Sequence, residues 1–177
     1  MKLIVVDMQK ALLTDDLYDL KGLLSKVAKL IKTARECGIE VLFVQHDAGP
    51  GSGFSSDDEG FEIPKRFHPL DHEKVFVKTM NSSFGNKDFE RYLEQENDQE
   101  LMVVGLQTEF CIDATIKGAF ERGYQVYVPK GTNSTFDNDY MEASKAIKYY
   151  EEWIWNNVFA KCVSFARAID LLKDNQK

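Results

Sequence analysis

Six short runs of mostly aliphatic residues constrain this chain more than any other feature: "KLIVV", "EVLFVQ", "KVFVK", "ELMVVG", "QVYVPK" and "NVFAK". Segments of helical character separate most of them. Leu20, Leu23, Leu24, Val27, Leu30, Ile31 and Ala34 fall on one face of a helix, and Gly38, after Cys37, is its stop. A second helix is expected around Asp88 to Glu96. A third opens at Cys111 and stops near Gly123, and a fourth is capped by Asp137 and runs to Trp155. Ser164 opens the last, through Leu172. Strands that are apolar throughout have no face to offer water, so they belong in a parallel sheet covered on both sides. Right-handed crossovers then give a three-layer, doubly wound α/β fold: a mainly parallel six-stranded sheet with helices on both faces. No linker, repeat or low-complexity tract interrupts residues 1–177, which are read as a single domain.

One connection is too long for a compact α/β unit. Asp47 to Glu73 contains "DAGPGSGFSSDDEGFEIPKRFHPLDH", and such loops usually form lids or walls of sites. Phe54, Phe61, Ile63 and Phe67 give it apolar anchors, so an ordered wall is expected.

Charge and composition exclude several classes of function. Lys and Arg number 22 against 29 Asp and Glu, for a net charge of −7, and no basic cluster is dense enough to follow a polyanion. Nucleic acid is therefore not an expected partner. No apolar run approaches the ~20 residues of a membrane-spanning helix. The opening "MKLIVVDMQK" turns acidic too soon for a signal peptide and reads as a first strand. Three widely spaced cysteines, Cys37, Cys111 and Cys162, make no disulfide framework and fit a reducing compartment, the cytoplasm.

Ligands of open parallel sheets bind beyond the carboxyl ends of the strands. There, "LIVV" ends in Asp7, "VFV" ends in Lys78, and "LMVVG" leads into the turn that delivers Cys111. An acid, an amine and a thiol at one edge are the parts needed for covalent acyl chemistry. Each also has a plainer reading. Asp7 can cap the turn after its strand, Lys78 can be a surface lysine, and Cys111 can be a small core residue. On the residues alone both readings stand. A helix N-terminus and a neighbouring ammonium would lower the pKa of the Cys111 thiol. Cys37 and Cys162 have no such surroundings and are read as structural.

The segments "LIVVDMQ", "VFVKTMNSSF" and "VVGLQTEFCIDATIKGAFERGYQVYVPKGTNSTFD" resemble those of the isochorismatase-like cysteine hydrolases. This superfamily includes nicotinamidases, carbamoyl-amide hydrolases and isochorismatases, and the resemblance runs from Leu3 to about Leu172. It implies an Asp–Lys–Cys triad at Asp7, Lys78 and Cys111. In that scheme Asp7 is the general base, Lys78 steadies both partners, and Cys111 attacks the carbonyl of a small amide or ureido compound. It also implies a cis peptide at Leu106–Gln107, with the backbone N–H groups of Gln107 and Cys111 forming an oxyanion hole. Gln9, His46, Phe84, Glu109 and Phe110 are the expected pocket residues. Nicotinamidases bind a metal through an Asp-x-His pair after the second strand, where this chain has Gln45, His46 and Asp47 in "VQHDAG". His68 and His72 in "FHPLDH" are interrupted by Pro69 and do not form a helical i, i+4 pair, so no metal and no cofactor are expected. Two rivals remain. Isochorismate-type vinyl ether hydrolysis needs no cysteine, and a catalytically silent binding module would use the aromatics Tyr149, Tyr150, Trp153 and Trp155. The resemblance further implies a homo-oligomer, a dimer or tetramer.

Overall fold

The computed structural model describes residues 1–96 and 98–176. In chain order the elements are β1 (Lys2–Val6), α1 (Leu20–Glu36), β2 (Val41–His46), β3 (Val75–Lys78), α2 (Lys87–Gln95) and β4 (Glu100–Leu106). Then follow α3 (Asp113–Phe120), β5 (Gln125–Pro129), β6 (Asn133–Ser134), α4 (Ala143–Tyr149), β7 (Lys161–Val163) and α5 (Phe165–Asp174). The strands form one parallel sheet in the order β3-β2-β1-β4-β5-β7, with β6 pairing β4. The chain builds outward from β1 to β3 and then returns to place β4 on the other side of β1. The strand order therefore reverses between β1 and β4, where open sheets form their clefts.

The apolar runs divide by alternation. Leu3 and Val5 face a core shared with Leu23, Val27 and Leu30 of α1 and Ala168 and Leu172 of α5. Ile4 and Val6 face the opposite core, shared with Phe89 and Leu93 of α2 and Ile116 and Ala119 of α3. Each fully buried aliphatic side chain favours folding by about 1.5–3 kcal/mol, which is why the middles of the central strands are apolar on both faces and their polar residues, Lys2, Gln45, His46 and Glu100, lie towards the strand ends. Helix ends are closed as their sequences suggest. Asn86 Oδ1 accepts from the N–H groups of Asp88 and Phe89, and Ser164 Oγ accepts from that of Arg167.

Three elements differ from expectation. The last long strand is Lys161–Val163 rather than "NVFAK", because Asn157 adopts a left-handed backbone (φ 62°) and folds that segment into a turn. The Trp155 carbonyl accepts from Val158, Phe159 and Ala160 there. A seventh strand, Asn133–Ser134, is two polar residues long and has no hydrophobic signature. The helix expected from Asp137 begins at Ala143, whose N–H donates to Asp137 Oδ1 across an intervening loop, and its final turn at Tyr150–Ile154 widens to π winding. Thr108–Ile112, ahead of α3, is also a π turn.

The long connection is pinned down. Its Phe67 is fully buried, Ile63 packs on the α1 side of the sheet, and the Phe61 carbonyl accepts from Gln45 and Gln9 at 2.8 and 2.9 Å. His68 and His72 lie exposed on it. Among the described residues no helix is long and apolar enough to cross a membrane.

Candidate active site

Lys78, His46 and Asp7 stand at the ends of three neighbouring strands, β3, β2 and β1, and the turn after β4 carries Cys111. Gly105 lets β4 run hard against β1: at φ 129°, a Cβ there would lie 1.9 Å from the Val6 carbonyl oxygen. The next peptide, Leu106–Gln107, is cis. Asp7 has a left-handed backbone (φ 52°), which aspartate tolerates, and its N–H donates to the Val44 carbonyl at 2.8 Å. Beyond β4, Thr108 Oγ1 donates to Asn133 Oδ1 at 2.7 Å, and Asn133 Nδ2 donates to Glu151 Oε1 at 2.7 Å. Sequence reasoning missed Asn133 and Glu151, whose only signal is being polar where the packing is close.

The side chains converge on one ammonium. Lys78 Nζ lies 2.8 Å from Asp7 Oδ2, 3.1 Å from His46 Nδ1 and 3.2 Å from Cys111 Sγ. Asp7, Lys78 and Cys111 are all buried, whereas His46 is partly open. Asp7 Oδ1 is buried with no hydrogen-bond partner among the described residues. Asn81 Oδ1 lies 3.8 Å from Cys111 Sγ.

Burial raises the pKa of Asp7 against the opposing pull of the Lys78 charge. The Cys111 thiol is pushed up to about 12, by burial first and the Asp7 carboxylate second, with Lys78 opposing both. This differs from the expectation of a lowered thiol pKa: desolvation and the carboxylate outweigh the ammonium. Burial thus favours the protonated thiol, with the Asp7 carboxyl as its hydrogen-bonding neighbour. His46 is lowered, by burial first and then by the Lys78 charge.

Asp7, His46 and Cys111 offer three ligand atoms within 4.8 Å of one another, the kind of set that can hold a metal ion. Lys78 Nζ sits within hydrogen-bonding reach of all three.

The five expected pocket residues separate. His46 is in the cluster, and Phe110 is half exposed next to Cys111 in sequence. Glu109 accepts from Thr135 Oγ1 at 2.7 Å through Oε1, while its Oε2 is buried without a partner among the described residues. Two are corrected. Gln9 is fully buried and its amide is spent on backbone: Oε1 accepts from His46 N, and Nε2 donates to the carbonyls of His46 and Phe61. Phe84 is a core residue, packed edge-on against Phe89 and covered by the Arg122 guanidinium. The late aromatics also divide, since Trp155 is buried with Nε1 donating to Asp113 and Trp153 is exposed.

The strand order and the edge that gathers these groups define an open α/β protein whose strand order reverses between β1 and β4, beside that edge. The isochorismatase domain profile matches residues 2–162, and the chain belongs to that family. It is 38% identical over 110 residues to the isochorismatase family protein YddQ of Bacillus subtilis, covering 61% of each chain. It is 30% identical over 137 residues to a streptothricin hydrolase of Streptomyces noursei, covering 76% of this chain and 54% of that one. The chain thus spans a little over half the length of these two relatives. A crystal structure of an isochorismatase family protein superposes with a TM-score of 0.83 at 28% identity, over 92% of this chain and 97% of the other.

Proposed function

We propose that the protein is a hydrolase that cleaves a C–N bond of a small amide or ureido compound through an acyl-enzyme on Cys111. The observation that carries this reading is the buried Lys78 ammonium bridging the Asp7 carboxylate and the Cys111 sulfur. In the first step Sγ attacks the carbonyl carbon while its proton passes to Asp7 Oδ1. The oxyanion is received by the backbone N–H groups of Gln107 and Cys111. Lys78 keeps its charge throughout and balances the negative charge as it moves from Asp7 to sulfur and then to substrate. When the intermediate collapses the C–N bond breaks, and Asp7 returns the proton to the departing nitrogen, which leaves as ammonia or an amine. Water then gives a proton to Asp7 and attacks the thioester. Collapse of the second intermediate releases the acid, and the thiol is restored. The chemistry suits a thiol that is protonated at rest, because the base is already beside it.

The streptothricin hydrolase among the relatives lends support to a small-molecule substrate. The test is intact mass of protein quenched during incubation with a panel of small amides and ureido compounds. The expected result is an acyl increment mapped to Cys111, with release of ammonia or amine, and hydroxylamine should divert the acyl group to a hydroxamate. Turnover without an adduct would point instead to a cysteine-independent reaction such as vinyl ether hydrolysis. Absence of turnover would favour a silent binding module.

We also place the chain, as one domain over 1–177, in the cytoplasm as a homo-oligomer. Three free cysteines fit the first assignment, and the exposed Tyr149 and Trp153, close together late in the chain, fit the second.

A further inference from the structure

In the sheet order β2 lies between β3 and β1. Lys78, on β3, therefore reaches Asp7 and Cys111 only by crossing the end of β2, and the residue it crosses is His46, its register partner. An ammonium has three N–H bonds and needs three acceptors when buried. Asp7 Oδ2 takes one and Cys111 Sγ a second, and His46 Nδ1, at 3.1 Å, stands where the third is needed. A protonated Nδ1 would set N–H against N–H, so the imidazole has to be neutral with its hydrogen on Nε2. Burial and the Lys78 charge favour the neutral ring over the opposing pull of the Asp7 and Asp47 charges and of the Met80 backbone hydrogen bond, and the Phe54 ring lies against it with centroids 5.7 Å apart. The backbone of His46 is fixed as well, since the Gln9 amide accepts from its N–H at 2.8 Å and donates to its carbonyl at 3.1 Å.

We propose that His46, clamped by Gln9, is a positioning residue that accepts the third proton of Lys78 as the Nε2–H tautomer and so holds the ammonium against the Cys111 sulfur. Without that acceptor one buried N–H of Lys78 is unmet, and the ammonium gains by turning away from sulfur towards any other acceptor. A glutamine in place of His46 carries a carbonyl that can take the same proton. The kinetic consequence rests on Cys111 being the nucleophile; the tautomer does not.

The chain has three histidines, so long-range 1H–15N spectra of labelled protein near neutral pH, with His46→Gln for assignment, resolve the His46 ring. The expected spectrum has an unprotonated Nδ1 and a protonated Nε2. In parallel, iodoacetamide labelling of Cys111 should slow about tenfold in His46→Ala, the effect of one lost buried hydrogen bond, and His46→Gln should recover most of that loss. A protonated Nδ1, or equal labelling rates in the alanine and glutamine variants, overturns the proposal. Unreactive Cys111 in the unaltered protein would overturn the acyl-enzyme reading instead and leave the tautomer result standing.

Discussion

Replacing Cys111 with alanine should lower kcat by about 10⁴-fold or more while leaving the fold in place. Groups that act as one unit are not additive: once the nucleophile is gone, the base and the ammonium have nothing to serve. The fold should tolerate the change because Cys111 is a small side chain in the core shared by α2 and α3, and alanine is small and favours the helical backbone. Turnover is measured on whichever compound gives the acyl adduct, and the thermal midpoint of the variant is compared with that of the unaltered protein. Retained turnover with an unchanged midpoint would rule out covalent catalysis at this residue.

Lys78→Met should be costly in a different way. Methionine keeps most of the aliphatic volume, so the loss is that of charge rather than of packing. Removing one partner of a buried ion pair costs about 3–5 kcal/mol, because the carboxylate left behind has neither water nor a cation. The penalty has a defined pH dependence. Asp7 is an acid whose folded-state pKa is raised by burial, so the folded form binds its proton more tightly than the unfolded chain. Stability of the variant is therefore lowest above that raised value and recovers as pH falls through it. Denaturant titrations of Lys78→Met at pH values from weakly alkaline to weakly acidic should show the midpoint rising on acidification. A variant as stable as the parent at alkaline pH would mean that the pair contributes nothing. Activity should fall by about 10²–10³-fold, the usual loss for one preorganised charge.

Much of this architecture is legible in the chain because burial on two faces leaves an unmistakable trace. "KLIVV" and "ELMVV" read as central strands, Asp7 and Lys78 are conspicuous as the charged residues that end such runs, and Cys111 follows the turn after the fourth. Less was legible where backbone rather than composition decides. Asn133–Ser134 is a strand because Gly105 and Leu106 pair with it, not because of its own residues. The "NVFAK" run fails as a strand because Asn157 turns the chain. The thiol's protonation followed from burial and from the Asp7 charge, which sequence spacing does not weigh. Gln9 and His46 are 37 residues apart in sequence, and only the pairing of β1 with β2 brings an amide onto the backbone of the imidazole.

The central claim is that Asp7 and Cys111 share one proton between their two pKa values and that Lys78 holds them together. Its most direct test is the pH dependence of iodoacetamide labelling at Cys111, mapped by peptide mass because Cys37 and Cys162 are also free. Between the raised pKa of Asp7 and that of Cys111, pushed up to about 12, the pair neither gains nor loses protons. The labelling rate should then be nearly flat between those two values. In Asp7→Asn, which has no base to take the proton, it should climb about tenfold per pH unit, as thiolate formation requires. A parent protein whose Cys111 labelling already climbs in that way, indistinguishable from Asp7→Asn, would contradict the account.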